Sequence, residues 1–494
     1  MAQHTHTSIQ GRVPDDTEHE DTADEGVTDR EPLLHDVQRD EDENHPKPWE
    51  SSRKSRIPMI VYLIFLMVSL EFEESVQAVP TVRLYESAIC QQYYHGPVEE
   101  SRCKTRPIQQ KLAQIRGWQG LFDALPTLIL SIPFGYMSDR KGRRLILFLS
   151  ELGEICCLGW ILMTCLLWEK VPIYVVWINS LFRLIGGGPN VSFATLLAMA
   201  ADVSTPQTRS RTFYIVFCSM LCVGAAGPRI ASVALEHSLW LPYLFCAVGL
   251  AASFPVLYWM PETLPDTSTK QPGSLELSIS AEDSETTLKD KITSVLHVYQ
   301  LVLKDRRMLA ALTCVFLAQF RTVGIDILLP YASFKFNWPL SKTAVLITVI
   351  YSVNIAVFLV ILPFGAIGLK RITALPTTGV DLLIARCSLG LLASGAFVIG
   401  IANTVGLMFV GLSIFAAGFG ARISMVSVMT DFFRKDYRAR VYALLSIIEE
   451  LTRLIGTPLI QTAWARGIEW GGDLLGFPFW ILAVSFKSYP HITE

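Results

Sequence analysis

The sequence predicts an all-α membrane protein with twelve transmembrane helices in two six-helix pseudo-repeat halves. Three observations carry that reading. First, apolar residues make up 51% of the 494 and charged residues only 18%, with a mean hydropathy of +0.37. Second, the apolar residues gather into stretches of about 20, the length that crosses a ~30 Å hydrocarbon core as helix. Third, the same punctuating residues recur in both halves at an offset of 229 or 230. A soluble chain of this length would suggest about three domains of roughly 150 residues. A nucleic-acid binder is excluded too, because the bases alternate with apolar runs instead of forming one basic face.

Residues 1–50 hold 15 acids and 4 bases, a net of −11, while the remaining 444 hold 30 acids and 38 bases, a net of +8. The segment 1–56 has too little apolar surface to fold alone and is expected to be a disordered acidic cytosolic tail. It lacks the basic start and short apolar core of a signal peptide. The expected spans are 57–79, 114–137, 144–167, 172–200, 211–235, 239–260, 308–331, 342–366, 378–401, 404–429, 439–460 and 472–487. They divide into an N-terminal half, 57–260, a cytosolic central linker, 261–307, and a C-terminal half, 308–494. The twelfth span is the weakest: its apolar part, Leu474 to Phe486, is short enough to imply a clipped or strongly tilted helix.

Orientation follows from the basic loops. Asp139 to Arg144, Arg209 to Arg211, Lys304 to Arg307, Lys370-Arg371 and Arg434 to Arg440 fall on one side, and the opposite short loops are nearly free of bases. The long first loop of that opposite side is the exception, and long loops cross largely regardless of charge. Both termini are therefore expected in the cytosol.

The repeat is specific. Pro133-Phe134-Gly135 returns as Pro363-Phe364-Gly365, Asp202 as Asp431, Arg209 as Arg438, Arg211 as Arg440 and Pro228 as Pro458. Two parallel halves with a path between them near mid-membrane are a transporter architecture. Eight of the ten cysteines lie in expected spans. Cys90 and Cys103 share the first non-cytosolic loop, where they form either a disulfide closing that loop or two free thiols.

After span two comes Gly135-Tyr-Met-Ser-Asp139-Arg140-Lys141-Gly142-Arg143-Arg144. Glycines permit a tight turn here, Asp139 suits a helix N-terminus, and the arginines can hold a cytosolic face by charge pairs. The run resembles the Gly-x-Leu-x-Asp-Arg-x-Gly-Arg-Arg signature of the major facilitator superfamily, with Met137 in place of Leu. The resemblance implies the major facilitator fold and a conformational lock. In that lock the Asp meets the start of helix eleven, and an Arg of the motif pairs with an acid ending helix four, here Asp202.

Arg183-Leu-Ile-Gly186-Gly-Gly188 is similar to the family's Arg-x-x-x-Gly-x-Gly element, and Pro261-Glu262-Thr263 to the close of its first half. Gly224-Ala-Ala-Gly227-Pro228 partly matches an element of antiporting members, with a spacing of three instead of four and without its last two glycines. Close helix packing accounts for it nearly as well. The first loop with its paired cysteines, and Leu125-Pro126 in span two, resemble a fungal drug/metabolite-efflux branch, also akin to proton-coupled folate carriers.

Ionisable groups at bilayer depth are functional candidates. Counted at 1.5 Å per residue from the basic side, Glu71, Asp123 and Arg321 lie about 20 Å in and Arg183 about 26 Å, forming one layer. Glu74 is one turn beyond Glu71, while Glu73 points away and is expected to snorkel outward. Glu71, Glu74 and Asp123 are the proton-coupling candidates. Arg183, Arg229 and Arg321 are the substrate or coupling charges. The alternative for each is a structural ion pair locking helices together. Glu151, Glu154, Glu449, Glu450 and Arg453 are further intramembrane charges, for which packing is favoured. Trp118, Phe122, Phe316, Phe320 and Tyr351 either line the path or pack.

The tail carries Asp29-Arg-Glu-Pro-Leu33-Leu34, an acidic dileucine pattern that sorting adaptors read. The Asn-x-Ser at Asn190 lies inside span four and cannot be glycosylated there. The chain contains no Gly-x-x-x-x-Gly-Lys-Ser/Thr, which argues against a nucleotide-driven pump, and no histidine box within a span, which argues against a membrane metalloenzyme. No enzymatic activity, cofactor, metal or nucleic-acid partner is expected. The expected protein is a monomeric, multi-pass secondary transporter of a small organic solute. It exchanges the solute for protons, with efflux of a secondary metabolite or drug favoured. Proton-coupled uptake, vacuolar import or a non-transporting sensor of the same fold are the alternatives. The plasma membrane is favoured over vacuolar or endosomal membranes.

Overall fold

A computed structural model describes residues 58–204, 208–263, 306–373, 377–432 and 438–487. Contacts divide the chain into two units, Met1–Pro46 and Lys47–Glu494, and every described helix belongs to the second. The tail with Asp29, Leu33 and Leu34, and most of the linker, lie outside the described residues.

No strand occurs among the described residues. In lipid every backbone N–H and C=O must be satisfied within its own segment, and long apolar runs meet that demand as helix. The first half contains α1 (Met59–Tyr94), α2 (Arg106–Lys141), α3 (Arg143–Leu166), α4 (Ile173–Val203), α5 (Arg209–His237) and α6 (Leu241–Trp259). The second half contains α7 (Arg306–Lys335), α8, α9 (Thr377–Ile401), α10, α11 (Arg438–Trp470) and α12 (Phe477–Lys487). Helix α8 is Leu340–Ala356 and Leu362–Thr373 joined by a π-helical turn, Val357–Ile361, and α10 is Val405–Ala417 followed by Gly420–Phe432.

Among the described residues nine helices are long and apolar enough to cross a membrane by length and composition alone. The three that fall short are α1, interrupted by Glu71, Glu73 and Glu74, α11, interrupted by Glu449, Glu450 and Arg453, and α12, with 11 residues. The first two are the helices on which the charges of interest are concentrated.

The repeat is visible in space. Pro133 to Gly135 and Pro363 to Gly365 lie toward the same end of the second helix of each half. Asp202 and Asp431 are the penultimate residues of α4 and α10, and Arg209 and Arg438 open α5 and α11. The halves meet where α2 runs along α11 and α5 along α8.

Two elements depart from the sequence expectation. The long first loop is mostly helix: α1 and α2 have 36 residues each, about 54 Å apiece, and project beyond a ~30 Å core. Hydropathy falls where Arg83 and Glu86 enter, but the helical period continues. Tyr85, Ala88 and Ile89 pack with Ile108, Leu112 and Ile115 of α2. Only 95–105 remains as a connection, and a Cys90–Cys103 disulfide closes it with Cα atoms 5.4 Å apart. Helix α4 is broken at Gly186 to Gly188. Gly187 and Gly188 hold φ of +82° and +79°, which side-chain-bearing residues rarely adopt. A Cβ on Gly186 would lie 2.2 Å from the Ser150 nitrogen of α3, so the break lets two backbones touch. The short α12 matches its weak sequence signal.

Candidate functional site

Asp123 of α2 is the centre of a polar cluster in the first half. Ser180 Oγ donates to its Oδ1 at 2.5 Å and Gln119 Nε2 to its Oδ2 at 3.2 Å. Arg183 Nε approaches at 3.8 Å. Gln119 also donates to Asn179 Oδ1 at 2.7 Å, which fixes the amide. The break in α4 sets this geometry, because Asn179, Ser180 and Arg183 sit on its short turns just before the glycines.

Glu71 of α1 is buried and accepts from Tyr351 Oη of α8 at 2.9 Å, a bond between the two halves. Glu74 is exposed, and its charge, with those of Asp326 and Glu450, acts on Arg453 of α11. Arg116 of α2 crosses to the second half and donates to the Asp326 carbonyl at 2.8 Å. Asn190 of α4 hydrogen-bonds Glu450. Arg321 of α7 donates to Asn354 Oδ1 at 2.9 Å and lies 5.3 Å from the centre of the Phe419 ring.

The layer inferred from helix counting therefore resolves into separate groups. Asp123 is joined to Arg183, and Glu71 to Tyr351. Arg321 hydrogen-bonds within its own half. Arg229 is not brought to any of them. It lies on the exposed face of α5, opposite Gly224 and Gly227, where a Cβ would meet Tyr351 of α8 and Ser75 of α1. The expectation for Glu73 also changes. It is buried at 6% exposure, bonded to Gln77 at 2.9 Å, and feels the charges of Glu151 and Glu154 of α3. It points away from Glu71, as its 200° offset requires, but that direction is the interior of the first half rather than lipid. Sequence reasoning missed Asn354, Asp326 and Arg116. Each is one polar residue in a long helix, and only the packing of another helix gives it a partner.

Among the aromatics, Trp118, Phe122 and Trp177 form one cluster, with centroid distances of 5.5 to 6.4 Å. Phe320 is buried in the core of the second half, edge to face with Phe316 at 5.4 Å.

At the end carrying the basic loops, Arg143 pairs with Asp202 and reaches Asp139 at 4.0 Å. Glu262 accepts from the backbone N–H of Arg143 and of Arg144, both at 3.1 Å, and so caps α3. Gly142 turns the chain there with φ +105°, and a Cβ on it would stand 2.8 Å from Glu262 Oε2. This accounts for Gly142 in the motif and for the acid of Pro261-Glu262-Thr263. Arg140 stacks over Tyr136 at 4.6 Å. Gly135 has open space around it. The side chains at the start of α11, where the resemblance puts the partner of Asp139, lie outside the described residues.

At the opposite end the disulfide connection ties the halves. Glu100 accepts the Leu340 N–H at 2.8 Å, capping α8 from the first half. Lys104 donates to Ser333 Oγ at 2.8 Å and to the Trp338 carbonyl. Burial pushes the Lys104 ammonium below the usual lysine range, and Glu100 opposes that shift. Arg83 holds Glu100 and the buried Glu86, both at 3.2 Å, and Gln109 donates to Glu86 at 2.6 Å. Among the described residues no group of three His, Cys, Asp or Glu is placed to hold a metal.

The Major Facilitator Superfamily profile matches residues 113–457. The chain is 29% identical over 452 residues to the MFS efflux pump atnC of Emericella nidulans, covering 88% of this chain and 86% of that one. It is 25% identical over 452 residues to the efflux pump ustT of Aspergillus flavus, with 87% and 86% covered. The fold is similar to the crystal structure of a D-xylose–proton symporter, with a TM-score of 0.60 at 14% identity, over 88% of this chain and 97% of the other.

Proposed function

We propose, for a chain that belongs to the Major Facilitator Superfamily, the outward movement of a small organic metabolite or drug in exchange for protons. That it is a secondary transporter and not an enzyme follows from the family. Its relatives atnC and ustT are efflux pumps by name, which supports the direction.

The observation that carries the coupling is the bond from Tyr351 of one half to the buried Glu71 of the other. A phenol donates more strongly to a carboxylate than to a carboxylic acid. Protonating Glu71 therefore weakens a tie between the halves, and deprotonating it restores the tie. Asp123 supplies a second step of the same kind, because a proton there releases its hold on Arg183. Loading and release of protons are thereby linked to the rocking of the halves. The basic-loop end faces the cytosol in this reading, as the bias of the bases requires, and the protein resides in the plasma membrane as a monomer.

The test is flux through proteoliposomes under an imposed pH gradient, with a panel of amphipathic drugs as solutes and an internal dye reporting protons. Solute and protons should move in opposite directions, and Glu71→Gln and Asp123→Asn should each abolish the dependence on the gradient. Flux that is unchanged in both variants removes the coupling. Co-movement of solute and protons removes antiport.

A further inference from the structure

Four arginines stand at bilayer depth on helices that meet around the junction of the halves: Arg116, Arg183, Arg321 and Arg453. An arginine does not lose its proton there, so a low-dielectric setting demands a counter-charge. Three of the four have one. Arg116 lies in the field of Asp326, Arg183 faces Asp123 at 3.8 Å with Glu154 and Glu450 beyond, and Arg453 has Glu450, Glu74 and Asp326.

Arg321 differs. Its described contacts are a neutral amide, Asn354, and an aromatic face, Phe419. The buried Nε has no hydrogen-bond partner, and, unlike the other three, the guanidinium lies in the field of no described carboxylate. Phe419 covers a face of the group and leaves the donors on its edge. Asn354 takes one of those donors and fixes the plane. What remains is a planar edge with an unpaired N–H, which matches a carboxylate.

Resting on the transport reading above, we propose that Arg321 is the seat for the carboxylate of an amphipathic organic-anion solute, with Phe419 against its apolar body. The site is wired to the proton acid through α8. Asn354 lies one turn beyond Tyr351, so one stretch of helix orients Arg321 and bonds Glu71. Of the three arginines singled out in the sequence, Arg183 is already neutralised and Arg229 faces elsewhere, which leaves the substrate charge to Arg321.

The experiment is ligand binding to the purified full chain in detergent, read by thermal unfolding and needing no pH gradient. The probes are 4-phenylbenzoate, its methyl ester and 4-phenylbenzylamine, which share a body and differ in one group. The carboxylate should raise the unfolding midpoint of the wild type, and the ester and amine should not. Arg321→Gln should weaken carboxylate binding by about tenfold or more, Arg321→Lys should recover part of it, and Arg371→Gln, exposed at the basic-loop end of α8, should leave the preference for the carboxylate intact. Asn354→Leu, which keeps the charge and loses its orientation, should weaken binding by less than Arg321→Gln. The assignment falls if the ester stabilises the wild type as well as the carboxylate does. It also falls if no probe stabilises the wild type, or if Arg321→Gln binds the carboxylate undiminished. Because the assay involves no proton movement, failure here and failure of the coupling in flux are separate results.

Discussion

The two ends of the helix bundle are held in different ways. At the disulfide end, polar bonds cross from one half to the other: Glu100 to Leu340, Lys104 to Ser333 and Trp338, and Ser232 to Ser341 at 2.8 Å. At the basic-loop end, these described polar bonds each stay within one half: Glu262 holds α3 and Arg143 holds Asp202 in the first, and Ser427 donates to Asp381 at 2.7 Å in the second. Toward that end an apolar contact crosses between the halves, Tyr214 stacked on Phe358 at 5.5 Å. Bonds that cross must break when one half rocks against the other. Bonds within a half make it move as one body. One end is thus built as a clasp, and the other stiffens a lever.

The comparison can be broken first at the disulfide. Cys90→Ser should cost about 3 kcal/mol of stability, the chain-entropy figure for a loop of this order, since the two cysteines are 13 residues apart. Thermal unfolding of the oxidised wild type, the reduced wild type and the variant measures it, and the two reduced forms should agree. An intact midpoint after reduction would mean that the clasp does not depend on its staple.

The lever comes next. Glu262→Ala removes an acceptor shared by two backbone N–H groups and should cost about 1–2 kcal/mol. Trypsin should then cut faster at Lys141, Arg143 and Arg144. Cleavage confined to the linker would show that the turn is held by something else. The smallest effect is expected from Glu100→Ala. It removes one cap across the halves, worth about 1 kcal/mol, and shifts the populations at the disulfide end toward the open form by roughly fivefold. Distances between spin labels on the ends of α2 and α8 report that shift. Global stability should hardly move, which separates a clasp from a structural bond.

Much of this fold was legible in the sequence because the bilayer simplifies the chemistry. Length and hydropathy place helices, and the paired positions Asp202/Asp431 and Arg209/Arg438 mark their ends in both halves. Depth counting placed Asp123 and Arg183 in one layer, where they meet. What stayed hidden depends on neighbours. Periodicity gave the direction of Glu73 but not what lies there, so an expected snorkelling residue is buried against α3. Hydropathy cannot see a helix that runs on past its apolar stretch, as α1 does after Pro80. The run Val357–Ile361, which forms the π turn of α8, reads as plain helix. Its structural cue is Pro363, which has no N–H for the Leu359 carbonyl.

The meeting of α5 with α8 sets how motion begins. A Cβ at Gly224 would lie 2.1 Å from the Tyr351 ring, so the ring rests directly on bare backbone. Such a surface works as a bearing. A flat ring on a smooth helix gives up its many weak contacts gradually as it slides, whereas a hydrogen bond is lost at a threshold. The same ring carries the Oη bond to Glu71, so the sliding surface and the threshold bond share one side chain. A methyl group added at Gly224 would displace the Tyr351 ring and with it the bond to Glu71, so it would alter both how fast the machine turns and which way it leans.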